Sequence, residues 1–82
     1  MLTKSIGRGD EADIRIDDKF ASTIHCRIYS RGPSYYVEDM GSTNGTYLNG
    51  NRFRSEALLS DLDEIKIGDT ELRFELDVPG GK

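Results

Sequence analysis

At 82 residues the chain has room for one domain and not two. Its 15 acidic against 11 basic side chains give a formal charge of −4, which argues against bulk nucleic-acid binding, with its need for a broad basic face, but leaves room for a local cationic pocket. With 35% hydrophobic residues it can build only a thin core, and no apolar run approaches the ~20 residues of a membrane span.

Taken in order, the elements are short and alternate with a period of two, as half-buried strands do. The start, Met1-Leu2-Thr3-Lys4-Ser5, lacks the apolar run of a signal peptide. Ile14 and Ile16 alternate with Asp13 and Arg15; Ile24, Cys26 and Ile28 alternate with His25, Arg27 and Tyr29. Tyr35 and Val37 alternate with Tyr36 and Glu38. The stretch from Arg54 to Leu62 dissents, with Leu58, Leu59 and Leu62 at helix-like spacing, and predicts an irregular connection with one helical turn at most. Ile65 and Ile67 alternate with Glu64 and Lys66, and Leu72, Phe74 and Leu76 with Glu71, Arg73 and Glu75. Turn pairs fall between the runs: Gly9-Asp10, Gly32-Pro33, Asn44-Gly45, Asn49-Gly50 and Gly68-Asp69. Such strands, with turns every eight to twelve residues or so, predict an all-β sandwich or barrel whose loops gather at its ends. The domain is expected over residues 1–77, with Val78-Pro79-Gly80-Gly81-Lys82 as a flexible tail or linker.

The chemistry sits in the turns. Arg8, between Gly7 and Gly9, offers a planar fork of donors suited to phosphate or carboxylate. Standing alone it would read as a solvated arginine. Ser22-x-x-His25 opens a strand, and a serine there can donate its hydroxyl to an anion. A Ser22–His25 nucleophile pair oriented by Asp39 or Asp63 is the rival reading, but no Gly-x-Ser-x-Gly elbow accompanies it. Within Gly41–Thr46, Asn44 has an amide able to bond a peptide backbone, although a pure turn would use the same residue. Asn44-Gly45-Thr46 matches a glycosylation acceptor with no secretory route to use it, and Arg8-Gly9-Asp10 is an adhesion tripeptide that arises by chance. One histidine and one cysteine leave no metal constellation, no phosphate loop of the Gly-Lys-Ser/Thr kind is present, and no cofactor is expected. The single Cys26 cannot form an internal disulfide, and with no secretory signal a reducing cytoplasm is the expected compartment.

Gly7-Arg8, Ser22-x-x-His25 and Ser42-Thr43-Asn44-Gly45-Thr46 followed by Asn49-Gly50 together closely resemble the forkhead-associated (FHA) domain. Asp13-Ile14, Glu38-Asp39-Met40 and Asp63-Glu64-Ile65-Lys66-Ile67-Gly68 add to the likeness, which runs from about Ser5 to Phe74. It implies a β-sandwich of two twisted, mostly antiparallel sheets that recognises phosphothreonine and is not an enzyme. It further implies that Arg8 and Ser22 bind the phosphate, with Thr23 beside them, and that Thr43 and Asn44 contact phosphothreonine and the peptide backbone. Gly7, His25, Gly45 and Asn49 would support the loops. The expected role is an adaptor in serine/threonine kinase signalling; the alternative is a scaffolding domain that packs on an unphosphorylated protein surface. Two departures stand out: Thr23 and Ile24 follow the serine where the family often has a basic or amide residue, and Leu62 replaces a favoured glycine before Asp63. The likeness also begins almost at Met1, so the family's leading strand or strands are expected to be missing. That predicts a gap beside Leu72–Leu76, filled by strand exchange with a second copy or by the remainder of a longer chain.

Overall fold

A computed structural model describes residues 3–76, and every regular element among them is a strand. β1 (Thr3–Gly7), β2 (Ile14–Arg15), β3 (Cys26–Arg31), β4 (Ser34–Asp39) and β7 (Glu56–Leu59) form one sheet, in the order β2-β1-β3-β4-β7. β5 (Thr46–Leu48), β6 (Asn51–Phe53), β8 (Asp63–Ile67) and β9 (Thr70–Phe74) form the other, in the order β6-β5-β8-β9. All pairings are antiparallel except β1 with β2. The two mostly antiparallel sheets bear out the sandwich reading. The expected tail, 78–82, lies outside the described residues.

Alternation sorts the side chains as the sequence pattern requires. From β3 and β4, Cys26 and Val37 enter the core, with Ile28 and Tyr35 packed against it; β8 contributes Ile65 and Ile67. Leu72 and Phe74 of β9 pack against the same cluster. Replacing Ile65 or Ile67 by Ala would cost about 2–5 kcal/mol, a large share of the ~5–15 kcal/mol that holds a domain folded. Tyr29 lies off this core yet is buried. Tyr36 stacks on its ring at 5.4 Å, and the guanidinium groups of Arg27 and Arg31 lie 5.0 and 5.5 Å from its centroid. Cys26 is fully enclosed (0% exposed). Burial, with Asp39 nearby, pushes its thiol up to about 12, although a hydrogen bond with Thr46 opposes the shift.

Three expectations need correction. The stretch from Arg54 to Leu62 contains no helical turn, because Glu56–Leu59 is β7, antiparallel to β4 with Val37 opposite Ala57. Ala57 and Leu59 face the core while Leu58 is 56% exposed, so a period of two underlies three leucines that only happen to fall at helical spacing. Ile14 is exposed rather than inward: both residues of the two-residue edge strand β2 face solvent, and Ile16, just past its end, is the one of the pair that is buried. Leu76 lies past β9, exposed, with its N–H donated to Asp61 Oδ1 at 2.8 Å. β9 itself is an edge strand among the described residues.

Turn chemistry sets the registers. Asn49 and Gly50, at φ 51° and 87°, join β5 to β6 in the doubly positive geometry that matches strand twist. Leu62 is the other non-glycine residue at positive φ among the described residues, at 72°, and its side chain is 58% exposed. A branched side chain there crowds its own backbone and gains little from packing. The left-handed conformation costs an L-residue about 1–2 kcal/mol, partly offset by the ~0.5–1 kcal/mol of extra chain entropy that glycine loses on folding. Leu62→Gly should therefore raise unfolding free energy by up to about 1 kcal/mol. Urea denaturation checks this, and a lower midpoint would show that Leu62 contributes packing its exposure does not suggest.

Candidate functional site

Three segments meet at one end of the sandwich: the turn after β1, the loop between β2 and β3, and the loop between β4 and β5. Backbone bonds lace the first two together, with Arg8 N donating to Ser22 O, Gly9 N to Thr23 O and His25 N to Ile6 O, at 2.8–3.0 Å. Gly7 makes this approach feasible, because a Cβ there would overlap the carbonyl of Thr23. Met40 N donates to His25 O at 3.0 Å, which draws in the third segment.

His25 locks the arrangement. Its side chain is fully buried (0% exposed). Ser22 N donates to Nδ1 at 3.1 Å, and Nε2 lies 2.8 Å from Gly45 O. An amide N–H can only donate and a carbonyl can only accept, so the network assigns the neutral tautomer with its proton on Nε2. Both ring nitrogens are thereby committed to backbone, and Ser22 Oγ instead accepts from Thr43 N at 3.3 Å. The Ser22–His25 nucleophile pair is not formed.

Asp39 shapes the loop between β4 and β5. Its Oδ2 accepts from Gly41 N and Ser42 N, both at 3.1 Å, and its Oδ1 from Ser42 Oγ at 2.5 Å and Thr46 Oγ1 at 2.7 Å. Ser42 Oγ in turn accepts from Gly45 N at 3.0 Å. Asp18 does the same for the loop between β2 and β3. Its buried carboxylate accepts from Phe20 N at 2.9 Å, Asp69 N at 2.8 Å and Thr70 Oγ1 at 2.7 Å, tying that loop to the β8–β9 turn. Asn44 Nδ2 joins the two loops directly by donating to Phe20 O at 2.8 Å. Asn44 has a negative φ, so its place here follows from this bond rather than from turn conformation.

The result is a cleft of about 410 Å³ lined by Arg8, Lys19, Phe20, Ala21, Ser22, Thr23, Thr43 and Asn44. The structure thus brings together Arg8, Ser22, Thr23, Thr43 and Asn44. Gly7, His25 and Gly45 lie behind them as frame. Asn49 lies outside the cleft: it donates Nδ2 to Asp63 Oδ1 and accepts from Glu64 N, both at 2.9 Å, so it fastens the β5–β6 hairpin to β8. No carboxylate lines the cleft. The Arg8 guanidinium has no partner among the described residues. The Ser22 hydroxyl accepts one bond and keeps its proton to give. A second cavity of about 460 Å³ adjoins, sharing Phe20 and Asn44 and continuing past Tyr47 and Lys66 to Asp69. Sequence reasoning missed Asp18, Lys19, Phe20 and the framing role of Asp39. Asp39-x-x-Ser42 carried a usable signal, since aspartate that caps its own following amides is a turn signature. Lys19 carried none.

The FHA domain family model matches residues 4–68. The chain belongs to the FHA domain family. It is 40% identical over 69 residues to the FHA domain-containing protein FhaB of Mycobacterium tuberculosis, which covers 84% of the chain and 44% of FhaB. The chain therefore spans less than half the length of that relative. Among solved structures, M. tuberculosis EmbR in complex with a low-affinity phosphopeptide superposes with a TM-score of 0.85 at 36% identity, covering 89% of the chain and 19% of EmbR. A domain from a study of phosphothreonine-dependent FHA domain interactions superposes at 0.86 with 33% identity, covering 93% of this chain and 78% of its own.

Burial pushes the Asp39 carboxyl up, but hydrogen bonds from Ser42 and Thr46 outweigh it and hold the group below its ordinary value. The Thr70 hydroxyl, followed by the Phe20 N–H, lowers Asp18 in the same way. A depressed folded-state value gives stability that is present above the unfolded aspartate value, ~3.9, and is lost as pH falls through the folded one. Melting temperature should hold level down to about pH 5 and then fall. Asp39→Asn should start lower and fall less steeply. An Asn variant with the wild-type acid profile would mean that the loop does not depend on the charge.

Proposed function

We propose that this FHA domain binds a phosphothreonine segment of a partner protein in the cleft of Arg8, Ser22, Thr43 and Asn44. The observation that carries the reading is an unpartnered guanidinium beside an undonated serine hydroxyl, in a cleft free of carboxylates, on a protein of charge −4. A phosphate carrying about −1.5 to −2 charge at pH 7 suits those donors. Surrounding acidity would discourage polyanions that lack the matching geometry.

In this reading Arg8 grips two phosphate oxygens with its fork and Ser22 donates to a third. Thr23 offers its hydroxyl at the rim. Asn44 spends one amide proton on Phe20 O and keeps the rest of its amide for the peptide backbone. The peptide would continue past Asn44, where the adjoining cavity offers room for a flanking side chain. FHA domains are binding modules rather than catalysts, and we read this chain as an adaptor for a target marked by a serine/threonine kinase. Support comes from the phosphopeptide held by the similar EmbR domain.

Calorimetric titration with a phosphothreonine peptide and its unphosphorylated twin tests the proposal. Binding should require the phosphate; equal binding of the twins would favour a scaffolding surface instead. Arg8→Ala should weaken the phosphorylated peptide by about 2–5 kcal/mol, roughly 30-fold to several thousandfold. Its melting temperature should stay at the wild-type value, since the guanidinium bonds to nothing among the described residues. Unchanged affinity in Arg8→Ala would remove the phosphate from this cleft.

A further inference from the structure

The cleft is short of charge if Arg8 acts alone. One guanidinium brings a single positive charge, whereas the proposed phosphate carries about −1.5 to −2. Thr23 and Ile24, directly after Ser22, bring none. Lys19 lines the same cleft as Arg8 and Ser22, three residues before the serine, and it is the other cation there.

Lys19 is also held in place. Its predecessor Asp18 is buried and anchored by three hydrogen bonds, from Phe20 N, Asp69 N and Thr70 Oγ1. Its successor Phe20 is anchored through its carbonyl by Asn44 Nδ2. The ammonium lies 5.5 Å from the centroid of the Phe20 ring. A cation–π contact orients an ammonium without consuming its N–H donors, and no ion pair occupies Lys19 among the described residues. The loop fixes the base of the side chain at both neighbours and leaves its head uncommitted at the cleft.

We propose that Lys19 is the second phosphate-contacting cation of this site, supplying from the loop before Ser22 the charge that Thr23 and Ile24 do not. This rests on the phosphothreonine reading above and adds a residue to it. A lysine head is a strongly hydrated point charge on a flexible stem, unlike the fork of Arg8. Its contact is exposed to solvent and open to screening, so it governs how affinity depends on salt.

The test uses a fluorescein-labelled degenerate peptide mixture with a fixed central phosphothreonine, together with its dephosphorylated form. Anisotropy is measured from low to high ionic strength for wild type, Lys19→Gln, Lys19→Arg and Lys4→Gln. Lys4 is exposed on β1 away from the cleft, so its variant controls for net charge. Lys19→Gln should bind the phosphorylated mixture about tenfold more weakly at low salt, with a shallower salt dependence and an unchanged melting temperature. Lys19→Arg should restore most of the affinity, and Lys4→Gln should match wild type. Wild-type affinity and salt dependence in Lys19→Gln, with wild type and Lys4→Gln both binding the phosphorylated mixture selectively, overturns the assignment of Lys19 alone. Failure of wild type to prefer the phosphorylated mixture overturns the phosphothreonine reading and this proposal together.

Discussion

One imidazole ring joins the two halves of the site. His25 accepts from the amide of Ser22 and donates to the carbonyl of Gly45, fully out of contact with water. Ser22 belongs to the loop between β2 and β3 of the first sheet, and Gly45 to the loop that crosses to the second sheet. Without a group of this length, able to donate at one end and accept at the other, the two loops would have to satisfy their backbone groups separately. A buried polar group left unpaired costs about 1–3 kcal/mol, so the ring cannot be dropped without the loops rearranging. The geometry of the cleft follows from that bridge.

The supports behind the bridge share a design. Asp39 and Asp18 are both carboxylates that gather amide and hydroxyl donors from the residues just after them and from a distant element. Each turns its charge inward, toward the backbone it organises. These two carboxylates are thereby occupied with the frame, while Arg8 and Lys19 line the cleft. This division lets a protein with a net negative charge present a local positive face. It also suits recognition by fixed donors, which need no rearrangement when the ligand arrives.

Much of this was readable in advance, for identifiable reasons. Cys26 with Ile28, Tyr35 with Val37, and Ile65 with Ile67 repeat at the spacing a pleated strand imposes, because each strand buries one face. Gly7, Asn49 and Gly50 mark backbone positions that few other residues can occupy. β7 was hidden because its strand is only four residues long and its outward Leu58 is apolar, which erased the contrast between faces. Lys19 and Phe20 were hidden because a loop has no period, and their value depends on Asp18 being anchored to a turn about fifty residues later in the chain. Long-range hydrogen bonds of that kind leave no trace in local pattern.

Cys26 has a practical consequence. Its thiol is enclosed, and burial keeps it protonated far above neutral pH. A thiol-reactive dye can meet the reactive thiolate only after the sandwich opens. The labelling rate of this single cysteine is then a built-in gauge of the opening equilibrium, read without denaturant and without adding a probe to the site. A ligand that binds only the closed form at a hundred times its Kd would slow that reaction about a hundredfold. The domain therefore carries in its core a reporter through which occupancy of the cleft can be timed.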